Sequence, residues 1–183
     1  MNTSDLDLIK SIQNGDVRAF ELLVERYQNS LFNFVFMMLR DDCAAEELVQ
    51  EVFLKVYQAL PRFKALPDAK PSSWIFKIAY NLSLNEIKRL RRLSEFKKNA
   101  LEHEDEKAKQ YFLESNRIKE LENGVIFALK KLPERQKAAL LLRVKEDLSY
   151  REISEVLSVS VPSVEALIFR ARKYLKEHLQ ELD

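Results

Sequence analysis

Apolar side chains recur every three or four positions along most of this chain, the spacing that buries one face of an α-helix. In residues 16–39 the apolar set is Phe20, Leu23, Val24, Tyr27, Leu31, Phe34, Val35 and Met38, and Asp16 stands where a helix cap belongs. This pattern predicts an amphipathic core helix. A second helix is predicted over residues 44–60, with Leu48, Val49, Val52, Phe53, Val56 and Leu60 on its inner stripe. Glu47, Gln50, Glu51 and Leu54 then share another face, acidic with an apolar residue inside it. Residues 61–71 hold three prolines and three bases and predict an ordered or semi-extended loop. A long helix follows from Ser73 to about Arg92, capped by Ser72 or Ser73. Along one side of it lie Lys77, Asn81, Asn85 or its neighbour Leu84, Lys88 and Arg92. Trp74, Phe76 and Tyr80 sit near its start, either as core residues or as aromatics on which bases stack.

From residue 93 to 124 the periodicity decays into mixed charge with sparse apolar residues, so a linker is expected there. A second domain is predicted from about Gly124: a short helix over 125–132, another from Pro133 through Arg143, and two more around a tight turn in 148–175. Leu129, Leu132, Ala139, Leu142 and Val144 are expected to pack beneath the last pair. Ser149 and Glu152 have the spacing of a capping box, placed just before Ile153, Val156 and Leu157. After the turn at 158–160, Pro162 falls in a first helical turn, and Val164, Leu167, Ile168, Ala171 and Leu175 keep helical spacing. Arg170, Arg172, Lys173 and Lys176 follow. The pattern is a helix-turn-helix whose second helix ends in charge that phosphates attract.

Composition narrows the class. Two glycines and five prolines in 183 residues leave few strand turns, so an all-α chain is favoured. The net charge of +1 hides segregation: residues 1–60 carry ten acids against five bases, whereas 88–98 and 130–145 each carry six bases against one acid. Two kinds of partner are implied. One cysteine, Cys43, and two distant histidines exclude a disulfide framework and a Cys/His zinc cluster, so no metal and no cofactor are expected. The most apolar run, 31–39, is too short to span a bilayer and the N-terminus lacks an export signal, which predicts a cytoplasmic protein without membrane insertion. No phosphate-binding glycine loop or nucleophile elbow is present, and no enzyme activity is expected.

The two halves together resemble a bacterial RNA polymerase sigma factor of the extracytoplasmic-function (ECF) class of the sigma-70 family. The resemblance rests on Ala45-Glu46-Glu47-Leu48-Val49-Gln50-Glu51-Val52-Phe53 and on Ser73-Trp74-Ile75-Phe76-Lys77-Ile78-Ala79-Tyr80-Asn81 in the first half. In the second half it rests on Leu132-Pro133-Glu134-Arg135-Gln136, Leu148-Ser149-Tyr150-Arg151-Glu152-Ile153 and Phe169-Arg170-Ala171-Arg172-Lys173. It implies a polymerase-docking and minus-ten domain over 1–92, a linker over 93–124 and a minus-35 domain over 125–183. Core polymerase is the implied protein partner, through the clamp helices of its largest subunit and its flap, and the clamp helices would meet the α-helical face with Asp41, Glu46, Glu47, Gln50, Glu51 and Leu54. The minus-ten element, part of it melted, would meet Lys64, Ser72, Ser73, Trp74, Lys77, Asn81, Lys88, Arg91 and Arg92. The minus-35 duplex would meet Tyr150, Arg151, Ser160, Pro162, Ser163, Glu165, Ala166, Phe169, Arg170 and Lys173. An anti-sigma protein is a further implied partner.

Two departures keep the promoter sequence open. Ser158 stands in the motif's turn where many relatives carry glycine, and Pro162, Ser163, Glu165 and Leu167 replace the usual start of the recognition helix. A stand-alone helix-turn-helix regulator, or a helical adaptor without nucleic acid, remains the alternative on pattern alone. The linker adds an expectation about shape. A coil of its 32 residues averages about 30 Å end to end, against roughly 70 Å between promoter elements two helical turns apart. A compact free form and a drawn-out polymerase-bound form are therefore expected.

Overall fold

The computed structural model describes residues 3–63, 70–100, 128, 129 and 131–179. Every element among them is helical: α1 (Asp5–Gln13), α2 (Val17–Leu39), α3 (Asp42–Ala59), a 3-10 turn (Leu60–Arg62), α4 (Pro71–Ala100), α5 (Glu134–Val144), α6 (Tyr150–Leu157) and α7 (Val161–Leu179). Ala128 and Leu129, just before α5, are helical as well.

Caps written into the sequence start these helices. Asp16 accepts from the amides of Arg18 and Ala19 at 3.0 and 3.4 Å, and Asp41 from Ala44 at 2.8 Å, each filling a donor that the first turn leaves unpaired. The stripe expected on α2 is the one that packs: Leu23, Tyr27, Leu31, Phe34, Val35 and Met38 are buried, against Leu48, Val49, Val52, Phe53 and Val56 of α3 and Ile75, Phe76, Ala79 and Tyr80 of α4. Phe76 anchors this core, with the rings of Phe34 and Tyr27 edge-on at 5.5 and 6.4 Å.

Three expectations for the first half and the start of the linker change. The helix α1 was not expected; it buries Leu8 and Ile9 and is capped by Ser4, which accepts from the amide of Asp7. The long helix begins at Pro71 and not at a capping serine, because proline's locked φ suits the first helical position and places Ser72 and Ser73 inside the first turn. It also runs on to Ala100, through the start of the expected linker. The remainder of that linker, residues 101–124, lies outside the described residues.

In the second half α5, α6 and α7 pack around Ala138, Ala139, Leu142, Ile153, Val156, Leu157, Val164, Leu167 and Ile168. Leu129 and Leu132 pack with Leu140 and Ala171. Val144, expected in this core, is 61% exposed, because it is the last residue of α5 and points away from the pair beneath. The two halves do not stand apart. α4 packs along α6, α2 touches α5, and Met37 of α2 lies against the Leu129, Leu132, Leu140 and Ala171 cluster.

Candidate protein and nucleic-acid interfaces

The acidic surface is set by the register of α3. Burying Ala45, Leu48, Val49, Val52, Phe53 and Val56 turns Glu46, Glu47, Gln50, Glu51 and Leu54 outward, and Asp41 at the cap is exposed with them. Leu54 is 56% exposed, and one turn further Tyr57 is 49% exposed, its ring edge-on to Phe20 at 5.0 Å. Tyr57 was not among the sequence candidates, although its position three residues beyond Leu54 is the signal that marks it. Lys55 pairs with Glu51 at 3.4 Å, so the patch remains mostly acidic with an apolar centre.

The basic surface belongs to α4. Asn81, Asn85, Lys88, Arg91 and Arg92 are exposed and Lys77 is half-buried, on the sides of the helix away from Ile75, Phe76, Ala79 and Ser83. Arg89 is spoken for: two hydrogen bonds of 2.6 and 2.8 Å bind it to Glu86, and they hold the Glu86 carboxyl below its ordinary value. Near the start of the helix Trp74 is half-buried, its ring 4.7 Å from that of Phe63. Ser72 is half-buried, and Ser73 is 3% exposed with its hydroxyl donated to the carbonyl of Lys70 at 2.8 Å. Ser73 therefore supports the helix start, and its side chain offers no surface to a ligand in this arrangement. Lys64 lies outside the described residues.

The helix-turn-helix has the expected start. Ser149 accepts from the amide of Glu152, while the Glu152 carboxylate accepts from the Ser149 amide at 2.7 Å and from its hydroxyl at 2.6 Å. Arg143 clamps the same corner, donating to the Leu148 carbonyl at 3.1 Å with its guanidinium 5.7 Å from the centre of the Tyr150 ring. That leaves Tyr150 half-buried and Arg151 exposed. In the turn Ser158 adopts a left-handed φ of 53°, and its amide closes α6 on the Ser154 carbonyl. Ser160 begins α7, its hydroxyl 2.8 Å from that of Ser163.

Pro162, Ser163, Ala166 and Arg170 line an open groove of about 460 Å³ together with Val159, Leu167 and Arg135. Glu165, Phe169 and Lys173 are exposed beside it, Phe169 by 68%. Arg135 lies in a motif quoted from the sequence but was not among its candidates. Only the fold brings the first turn of α5 beside the recognition helix.

Polar contacts cross between the halves. Lys70 Nζ lies 3.0 Å from Glu152 Oε1, Arg91 of α4 pairs with Glu134 of α5, and Arg135 sits beside the buried hydroxyl of Tyr80. Burial pushes the Glu152 carboxyl up, but the Ser149 hydroxyl and amide and the Lys70 ammonium outweigh it, and the net displacement is downward. Glu146 goes the other way: burial raises it, while the Ser30 hydroxyl of α2 and Lys145 pull it part of the way back. Among the described residues no helix is long and apolar enough to cross a membrane, and no group of three His, Cys, Asp or Glu side chains is placed to hold a metal ion.

The sequence profile of Sigma-70 region 2 matches residues 23–93, and that of Sigma-70, region 4, matches residues 124–175. The RNA polymerase sigma-H factor of Pseudomonas aeruginosa is 34% identical over 97% of this chain and 95% of its own length. The ECF RNA polymerase sigma-E factor of Escherichia coli is 32% identical over 98% and 96%. Of solved structures, CnrH in complex with the cytosolic domain of CnrY matches with a TM-score of 0.71 at 26% identity, over 98% of this chain and 99% of that one. The sigma factor RpoE in complex with the anti-sigma factor NepR from Bartonella quintana matches in fold, with a TM-score of 0.70 at 20% identity over 90% and 98%.

Proposed function

Because the chain belongs to the ECF class of sigma-70 family RNA polymerase sigma factors, and so directs RNA polymerase to promoters without being an enzyme itself, we propose a residue-level division of that work. The outward face of α3, with Asp41, Glu46, Glu47, Gln50, Glu51 and Leu54, docks on the clamp helices of the largest polymerase subunit, and the flap receives the second domain. Lys77, Asn81, Lys88, Arg91 and Arg92 of α4 follow the backbone of the minus-ten element, with Ser72 and Trp74 at its melted strand. Tyr150, Arg151, Ser160, Pro162, Ser163, Glu165, Ala166, Phe169, Arg170 and Lys173 meet the minus-35 duplex. Residues 1–92 and 125–183 are the two working domains and 93–124 joins them.

The observation that carries this reading is the separation of charge by helix. An acidic face with an apolar centre on α3 suits a protein partner, whereas exposed cations on α4 and α7 suit phosphates. Opening needs no nucleotide hydrolysis, since unstacking a base costs a few kcal/mol and stacking in a protein site returns about as much. The protein works in the cytoplasm, where polymerase and promoter are.

The packed halves further support a resting form. In it Arg91 faces Glu134 and α4 lies along α6. An anti-sigma protein is the partner expected to favour this form by covering the docking faces, in keeping with the bound partners of CnrH and RpoE. A gel shift with and without purified core polymerase tests the division: duplex promoter should be retained chiefly when core is present. Retention of a palindromic site by the chain alone would point instead to a stand-alone regulator.

A further inference from the structure

Helix α1 lies outside every surface assigned above, yet it ties down one flank of the segment that leads into α4 and reaches the other through Tyr27. Gln13, its last residue, uses its side-chain amide twice, donating to the carbonyl of Leu60 at 2.8 Å and to that of Phe63 at 2.9 Å. Phe63 is the residue whose ring packs on Trp74. At the other end of α1, Asp5 accepts from the hydroxyl of Tyr27 and pairs with Arg26, and the Tyr27 hydroxyl lies beside Ser72. A single short helix thus holds the carbonyl of Phe63, whose ring packs on Trp74, and reaches the neighbourhood of Ser72 through Tyr27.

Packing alone does not account for this. Leu8 and Ile9 already bury α1 against α2, whereas Gln13 is exposed and gains nothing from leaving water. Holding an exposed glutamine in one rotamer costs conformational freedom, and what it returns is the position of two carbonyls distant in sequence. A site that receives an unstacked base needs that kind of support, because misplacement by about 1 Å is enough to cost a hundredfold in a positioned reaction. We propose that α1 is a brace for promoter opening, with Gln13 and Asp5 acting as positioning residues for the Phe63–Trp74 pair and for Ser72. The proposal rests on the reading of the α4 start as the site of the melted minus-ten strand.

The test uses holoenzyme made from core polymerase and the full chain, on a promoter selected from random sequence by the wild-type holoenzyme. 2-Aminopurine in its minus-ten element reports opening by fluorescence. Gln13→Met, which keeps the bulk and removes both donors, and Asp5→Ala should each slow opening about tenfold, with core affinity and minus-35 duplex binding held within about twofold. Gln13→Lys, which can still donate to both carbonyls, should restore opening to within about threefold of wild type. A fall in core affinity in step with opening would mean that α1 only stabilises the fold, and would overturn the brace. Wild-type opening by Gln13→Met alongside a loss in Trp74→Ala would overturn the brace and leave the base site standing. Wild-type opening by Trp74→Ala would overturn both.

Discussion

The ammonium of Lys70 sits 3.0 Å from the carboxylate of Glu152, so the segment that starts α4 is held by the residue that closes the capping box of α6. One carboxylate therefore organises the start of the DNA-binding motif and also fastens that motif to the other half of the chain. Opening the molecule breaks the second interaction and leaves the first intact, since Ser149 remains in place. Lys70 is largely exposed, which limits the pair to about 0.5–1 kcal/mol. Lys70→Ala should accordingly lengthen the distance between a label on Cys43 and one on an introduced Lys176→Cys in the free protein. It should also raise affinity for core polymerase about two- to fivefold, provided that binding requires the halves to part. Unchanged transfer efficiency would mean that Lys70 does not help hold the halves together.

The same pair predicts a pH dependence. The folded Glu152 carboxyl lies below its ordinary value, so its contribution is complete above the unfolded-chain value of about 4.3 and is lost as pH falls through the lower folded value. The urea midpoint of the wild-type protein should hold level from neutral pH down to the ordinary carboxylate range and fall as pH drops through it. Lys70→Ala should start lower and show a shallower drop, read in the same titration.

On α3, reversing charge at Glu47 and Glu51 together with Gln50→Ala should abolish capture by immobilised core polymerase while far-ultraviolet circular dichroism stays helical, because none of the three is in the buried stripe. Tyr57→Ala should weaken capture by about tenfold, the loss of roughly 1.4 kcal/mol for an exposed aromatic at the centre of an interface. Full capture by the triple variant would remove α3 from the docking surface.

On α4, alanine at Lys88 and Arg92 should flatten the dependence of promoter binding on salt by about one unit of log–log slope for each phosphate that is no longer neutralised. Arg89→Ala should leave the slope as it is, since Glu86 already neutralises that guanidinium. Equal slopes for all variants, measured by fluorescence anisotropy between low and moderate salt, would place the phosphates elsewhere.

Ser158 gives a prediction about stability alone. Its φ of 53° puts a non-glycine residue in the left-handed region, at a cost of about 1–2 kcal/mol, while glycine there would lose roughly 0.5–1 kcal/mol of extra chain entropy. Ser158→Gly should therefore raise the unfolding free energy of the helix-turn-helix by up to about 1 kcal/mol, seen as a higher urea midpoint. A lower midpoint would show that the serine hydroxyl outweighs the strain.

What could be read in advance followed the strength of the local signals. Asp16 and the Ser149–Glu152 box were read as caps, and the apolar stripes marked α2, α3 and α6 with most of their buried faces, whereas the Asp41 cap of α3 was not read in advance. The helix α1 was missed although Ser4, Leu8, Ile9 and Ile12 have the right spacing, because nine residues make a short window and its burial depends on α2. Pro71 was taken for loop because proline interrupts helices far more often than it starts them. Val144 was misjudged because the last turn of a helix is where a periodic pattern stops specifying direction. The groove beside α7 was invisible from sequence as a shape: Arg135 stands more than twenty residues before Pro162, and no periodicity links them. The contacts between halves were equally hidden, since Lys70 and Glu152 meet only once both domains are built.

The uninterrupted run of α4 from Pro71 to Ala100 changes where distance along the promoter is measured. Eight residues beyond Arg92 carry the chain about 12 Å further as a stiff rod. A coil would let the second domain sample directions evenly, whereas a rod launches the connecting segment along one bearing. On the proposed reading, in which α4 follows the minus-ten element, the path toward the second domain therefore starts from Ala100 and not from Arg92, with its first bearing set by the helix axis.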